Sequence, residues 1–305
     1  MAEEEDPPAV LLMGYGSPRR DEDLPEYLRD VLGGKAPSPA MVEEYERRYA
    51  LIGGSPQNRV LESLRAKVEQ QLASDGSAIR VYLGTKHWTP HITSVVPAIA
   101  ADGYSKVVAV PLSPYASTWI MEPYTRAIDK GIAAATQPIE VEIRSGWHLH
   151  PGWIGYWRDA LKFADPSGDH VVLLSAHSLP KRFYDGGDPY PRLLDATSRA
   201  IAGAAERARW SFTFQSAGNT TEPWLGPDIT EVLLEWKGRG VNDPLIASFG
   251  FVFDHLETLY DLDVVVRAFA EKNGIEYRRI PMPNDHDRVA AALADIVRGA
   301  STTAG

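Results

Sequence analysis

The sequence predicts an α/β protein built as two similar Rossmann-like halves, each a four-stranded parallel sheet flanked by helices. Short apolar runs without helical spacing alternate along the chain with amphipathic segments, which is the pattern of βα units. Runs such as Ala9-Val-Leu-Leu-Met13 and Val171-Val-Leu-Leu174 are unbroken, as strands buried on both faces must be. Two of these runs enter similar loops half a chain apart. Gly14-Tyr15-Gly16-Ser17-Pro18 follows the first, and Ser175-Ala-His177-Ser-Leu-Pro180 the second. At 305 residues the chain exceeds the usual size of a single core, so two units are expected, 1–165 and 166–305, with the last helix returning to the first.

In order, residues 9–13 read as strand. Helical spacing follows over 23–32 and 40–50, separated by the breaker Pro37-Ser-Pro39. Ile52-Gly53-Gly54-Ser55-Pro56 stops the second helix and starts a third that reaches about 72. Strand is expected over 78–84, helix over 90–101, strand over 106–112, then a helix containing Tyr124, strand over 140–143 and helix over 151–163. Asp165-Pro-Ser-Gly-Asp169 has linker composition and marks the boundary. The second half repeats the alternation, with strands over 170–175, 211–215, 245–249 and 275–280. Its helices are expected over 191–208, 228–237, from 254 onward, and over 285–298.

The totals exclude several classes. A net charge of −10, from 41 acidic and 31 basic residues, argues against general nucleic-acid binding. With no cysteine there are no disulfides, thiolate zinc sites or iron–sulfur clusters, which suits a cytoplasmic protein. The acidic start, Met1-Ala-Glu-Glu-Glu-Asp6, lacks the apolar region of a signal peptide, and no stretch reaches the length of a membrane span. A soluble protein is expected.

His177 is the leading candidate for chemistry, because it stands at the carboxyl end of a strand, the edge where parallel sheets bind ligands. A histidine satisfied by local backbone is the plain alternative. Its partner is Glu257, in Asp254-His-Leu-Glu257, which would point into the same crevice from the first turn of the following helix. Asp254-x-x-Glu257 also has the form of a capping box, which needs no ligand. One imidazole and one carboxylate make an open site for a borderline divalent ion such as Fe²⁺ that is held briefly and passed on. Asp261, four residues on, extends the acidic face. His87 and His91 have helical metal-pair spacing, but Pro90 between them starts the helix and breaks the shared face. His148 and His150 read as structural. Gly14-x-Gly16 lacks the third glycine of a dinucleotide fingerprint, so NAD is not expected.

Together the motifs resemble the ferrochelatase family, most closely the coproporphyrin type of Gram-positive bacteria, from about Val10 to Arg298. They are Met13-Gly-Tyr-Gly-Ser-Pro18, Ile52-Gly-Gly-Ser-Pro56, Gly84-Thr-Lys-His-Trp88, Ser175-Ala-His-Ser-Leu-Pro180, Gly187-Asp-Pro-Tyr-Pro191, Gln215-Ser-Ala-Gly-Asn-Thr220 and Gly250-Phe-Val-Phe-Asp-His-Leu-Glu257. The resemblance implies a porphyrin cleft between two domains, with His177 and Glu257 handling incoming Fe²⁺ on one face of the macrocycle. It implies Tyr15 on the other face, able to ligate iron in the product. It further implies propionate contacts at Arg48, Tyr49, Ser55 and Tyr124, and a pocket-lining His87. The implied reaction is Fe²⁺ insertion into coproporphyrin III in haem biosynthesis, by a monomer in passing contact with neighbouring enzymes of haem synthesis. Insertion into protoporphyrin IX, a cobalt or nickel chelatase, and a non-catalytic tetrapyrrole carrier are the rivals. The Asn219-Thr220 pair favours the coproporphyrin type. Two departures stand out: Leu32 replaces an arginine that relatives use for a propionate, with Arg29 or Lys35 as candidate substitutes, and Val265 shortens the acidic track.

Overall fold

The structure is a computed structural model that describes residues 7–73, 79–218 and 220–299. The first half runs β1 (Ala9–Gly14), α1 (Leu24–Val31), α2 (Pro39–Leu51), α3 (Gln57–Ala73), β2 (Val81–Thr85), α4 (Ile92–Ala101), β3 (Lys106–Pro111), α5 (Thr118–Ala134), β4 (Glu140–Ile143) and α6 (Pro151–Ala164). The second runs β5 (Val172–His177), α7 (Lys181–Asp185), α8 (Tyr190–Ala204), β6 (Trp210–Gln215), α9 (Ile229–Gly238), β7 (Leu245–Ala247), a π-helix (Glu257–Val266), α10 (Arg267–Lys272), β8 (Arg278–Arg279) and α11 (Asp287–Val297).

Both sheets are parallel and share one topology, β2-β1-β3-β4 and β6-β5-β7-β8. In each, the chain leaves the opening strand for one neighbour and later returns to the strand's other side. The loop after the opening strand therefore lies at a topological switch point, where a parallel sheet opens a crevice. Tyr15 follows β1 and His177 ends β5, so the duplicated plan places them equivalently. β1 is wholly buried, and all of β5 is buried except His177, which explains their unbroken apolar sequences.

One core cluster runs beneath both sheets, with Trp147, Trp153 and Trp157 fully buried in a chain of edge-to-face contacts at 5.4 and 5.8 Å. α11 packs on α3 and α6, and Arg144 donates to the carbonyls of Ile296 and Val297. Among the described residues no helix is long and apolar enough to cross a membrane.

Several sequence expectations are corrected. The 165–169 segment is no loose linker: Asp165 is buried, accepts from the backbone of Gly168 and His170, and pairs with buried Arg207 at 2.6 Å. The strands expected over 245–249 and 275–280 are shorter, because Phe249 turns back onto Ala247 and only residues 278–279 keep the sheet register. The short α7 was not anticipated, and the helix expected over 191–208 ends at Ala204. The helix expected from 254 begins at Glu257 and is π-type, with Arg267 N–H reaching Leu262 O. The start of the expected 78–84 strand, at Ala78, lies outside the described residues, as does Asn219.

Candidate active site

The loops leaving β1 and β2 are zipped together, with Lys86 N–H donating to Gly14 O at 3.0 Å and His87 N–H to Tyr15 O at 2.8 Å. Gly16 permits this approach: it has φ +97°, and a Cβ there would stand 2.8 Å from Trp88 N. The result is a polar-aromatic wall. The Tyr15 and His87 rings lie 4.6 Å apart, and Lys86 Nζ sits 4.6 Å above the Tyr15 ring and 5.8 Å from that of Tyr124.

His177 faces this wall from the second half. Its Nδ1 lies against the Ser178 carbonyl, and Tyr190 Oη donates to the His177 carbonyl at 3.2 Å. A carbonyl only accepts, so Nδ1 keeps its hydrogen, and neutral His177 presents a bare Nε2 lone pair. That Nε2 stands 3.4 Å from Glu257 Oε1.

Glu257 is free for this contact because other residues make the helix start. Asp254 is held by Arg279 at 3.1 Å and Asn284 at 3.0 Å, while His255 N–H donates to Thr258 Oγ1 and Thr258 N–H to His255 Nδ1. The capping box expected at Asp254-x-x-Glu257 is therefore absent. The same pattern at Asp228-x-x-Glu231 does form one, at the start of α9.

Charges agree with an ion pair. Burial opposes the charged form of His177, but the Glu257 carboxylate outweighs it and raises the imidazole above its ordinary value. Burial likewise opposes ionised Glu257, yet His177, then His255 and Lys86, bring it down to about 2. Burial lowers Lys86 to about 8 and, with Lys86 beside it, His87 to about 4. Enclosure and the Glu257 charge push Tyr15 well up. Glu257 also acts on Tyr45 and Tyr49 of the first half and Tyr190 of the second, so these groups face one space.

Tyr49 is buried with its hydroxyl 3.2 Å from Ser17 Oγ, and Tyr124 is buried on α5. Arg48 gives its Nε to Glu44 at 2.8 Å and lies over the Tyr260 ring at 4.9 Å. Ser55 Oγ accepts from Gln57 N–H, and His87 Nδ1 contacts Asp30 at 2.8 Å. Asp261 is half-buried and raised by burial and by Glu257. It does not complete a metal cage: no cluster of three or more His, Asp or Glu ligands occurs among the described residues. His150 caps α6 and His148 contacts Gly146 O, both structural. Lys86 and His255 were given no role by sequence reasoning, although each lies inside a recognised motif, Gly84–Trp88 and Gly250–Glu257.

The same architecture occurs in the sirohydrochlorin chelatase SirB of Bacillus subtilis subspecies spizizenii, solved with cobalt, with a TM-score of 0.59 at 13% identity over 96% of this chain and 94% of that one. The fold is thus that of the two-halved α/β metal chelatases. Within that class the chain belongs to the ferrochelatase family, whose model matches residues 7–301. It is 36% identical over 299 residues to a ferrochelatase of Herpetosiphon aurantiacus, covering 95% of this chain and 98% of that one. It is 35% identical over 298 residues to a coproporphyrin III ferrochelatase of Anoxybacillus flavithermus, covering 94% of each.

Proposed function

We propose that this chain inserts Fe²⁺ into coproporphyrin III to give coprohaem, with His177 and Glu257 acting on one face of the macrocycle and Tyr15 on the other. The observation that carries the reading is the His177–Glu257 pair at 3.4 Å, with Tyr15 and Lys86 of the first half within electrostatic reach of Glu257. A tetrapyrrole carrier has no use for an imidazole and a carboxylate paired at this distance. The reading takes the chain as two units, 1–165 and 166–305, whose facing edges form the porphyrin cleft.

Insertion removes two pyrrole protons and replaces the water around Fe²⁺ with four ring nitrogens. At rest the Glu257 carboxylate supports a proton on His177. Fe²⁺ arriving at Glu257 neutralises that carboxylate and withdraws the support. His177 then releases its proton to water and, now neutral, accepts the two pyrrole protons in turn, passing each on to water. Metal delivery and proton removal are thereby coupled at one pair. Arg48, Tyr49, Ser55 and Tyr124 hold propionates, with Arg48 using the terminal nitrogens that Glu44 leaves free.

The coproporphyrin preference is supported by relatives such as that of Anoxybacillus flavithermus. The deciding experiment is anaerobic Fe²⁺ insertion into coproporphyrin III and protoporphyrin IX in parallel, with Co²⁺ and Ni²⁺ as competing metals. Higher kcat/KM with coproporphyrin III is expected. The reverse preference would replace the substrate assignment, and binding without metalation would make the chain a carrier.

A further inference from the structure

A cavity of about 370 Å³ is lined by Arg19, Arg20, Arg59, Asp21, Tyr49, Ser55 and the Gly53-Gly54 turn. Two of its three guanidinium groups are uncommitted. Arg20 is paired with Asp23 at 3.3 Å and Glu22 at 3.7 Å, whereas Arg19 and Arg59 have no side-chain ion pair among the described residues. Of the nearby acids, Asp21 has no ion pair among the described residues, while Glu62, one turn after Arg59, is held by Arg65 at 2.8 Å, and Asp23 by Arg20 and the backbone N–H groups of Arg19 and Arg20. A protein of net charge −10 that keeps two free guanidiniums facing one cavity has concentrated positive charge there.

We infer that Arg19 and Arg59 form a carboxylate-recognition subsite that receives a propionate of the porphyrin, a role that rests on the function proposed above. Three features favour a substrate carboxylate over a free anion. Tyr49 is shared between cavity and cleft, because it lines the former while its hydroxyl is under the influence of Glu257. Ser55 adds a hydroxyl to the same wall. The guanidinium forks suit the planar, bidentate geometry of a carboxylate. The subsite also accounts for Leu32, which offers no charge at the end of α1. Arg29 and Lys35, the candidate substitutes, are exposed and have no ion pair among the described residues. Recognition has moved to the start of α3.

The test is porphyrin binding measured by fluorescence for the parent, Arg19→Gln, Arg59→Gln and the double variant, using coproporphyrin III and its uncharged tetramethyl ester. Each single change should raise the Kd for coproporphyrin III about tenfold, the worth of one charge-assisted contact. The effect should shrink as salt is added, because these guanidiniums are exposed. Ester binding should be equal in all four proteins. Arg59→Lys, which keeps the charge and loses the fork, should fall between parent and Arg59→Gln, and it serves if a glutamine variant folds poorly. Glutamine variants within twofold of a parent that binds and metalates coproporphyrin III would overturn the subsite and leave the proposed function intact. A parent that binds no porphyrin would overturn both.

Discussion

Glu257 Oε1 and His177 Nε2 meet at 3.4 Å although 80 residues separate them, and Glu257 makes no hydrogen bond at the start of its own helix. Glu257→Gln should therefore cost no more than its ion pair with His177, about 1 kcal/mol at neutral pH, while Fe²⁺ insertion falls by about a hundredfold or more. Thermal unfolding beside an anaerobic insertion assay checks both. A clear loss of stability with normal insertion would return Glu257 to a capping role.

The pair also sets a pH window. His177 is raised in the folded protein, so its contribution to stability is complete below its ordinary value of 6.5 and fades as pH rises through the raised folded value. Glu257 is depressed to about 2, so its contribution is complete above its ordinary 4.5 and is lost as pH falls towards 2. The pair is strongest between these limits. An NMR titration of His177 should show a midpoint above 6.5 in the parent and a lower one in Glu257→Gln.

Lys86 stands over the Tyr15 ring and is lowered to about 8 by burial. It discharges as pH passes 8, and the wall it forms with Tyr15 loses the positive charge it would offer an anionic substrate. The pH profile of kcat/KM should fall above about 8 in the parent, and Lys86→Met should lose that alkaline limb. An unchanged limb in the variant would assign the titration elsewhere.

Gly250 holds the strand end that carries His177. A Cβ at Gly250 would stand 2.8 Å from both Cα and Cβ of Ala176 and 3.3 Å from His177 N. Gly250→Ala should cost about 1–3 kcal/mol through overpacking and lower insertion at least tenfold by displacing His177. Gly203→Ala, in α8 with open space around it, should be neutral or slightly stabilising. Urea unfolding and insertion rates on both variants make the comparison.

Arg207 and Asp165 are both buried and meet at 2.6 Å; burial opposes the charged carboxylate, but hydrogen bonds from Ser167 and His170, with the Arg207 charge added, outweigh it and hold Asp165 well below the usual carboxylate range. Arg207→Met leaves that carboxylate buried without its guanidinium, though still hydrogen-bonded by Ser167, Gly168 and His170, and should cost about 3 kcal/mol in denaturant unfolding. In the parent the contribution of Asp165 is lost only as pH falls through its depressed folded value, well into the acid range.

The two four-stranded parallel sheets and the two similar loops that carry Tyr15 and His177 were legible in the sequence, whereas the order of strands in each sheet was not. Strand burial and parallel alternation depend on local composition, and composition is written along the chain. What the chain could not announce is which of two identical patterns would cap a helix. Asp228-x-x-Glu231 and Asp254-x-x-Glu257 are the same in sequence, yet only the first closes a capping box. The difference is made by Arg279 and Asn284, residues distant in sequence that take the Asp254 carboxylate, and by His255 and Thr258, which satisfy each other's backbone donors. Lys86 entered the site in the same way, through the pairing of β1 with β2. Local propensity determined the elements. The competition of tertiary partners for each carboxylate decided which acid was left free to meet His177.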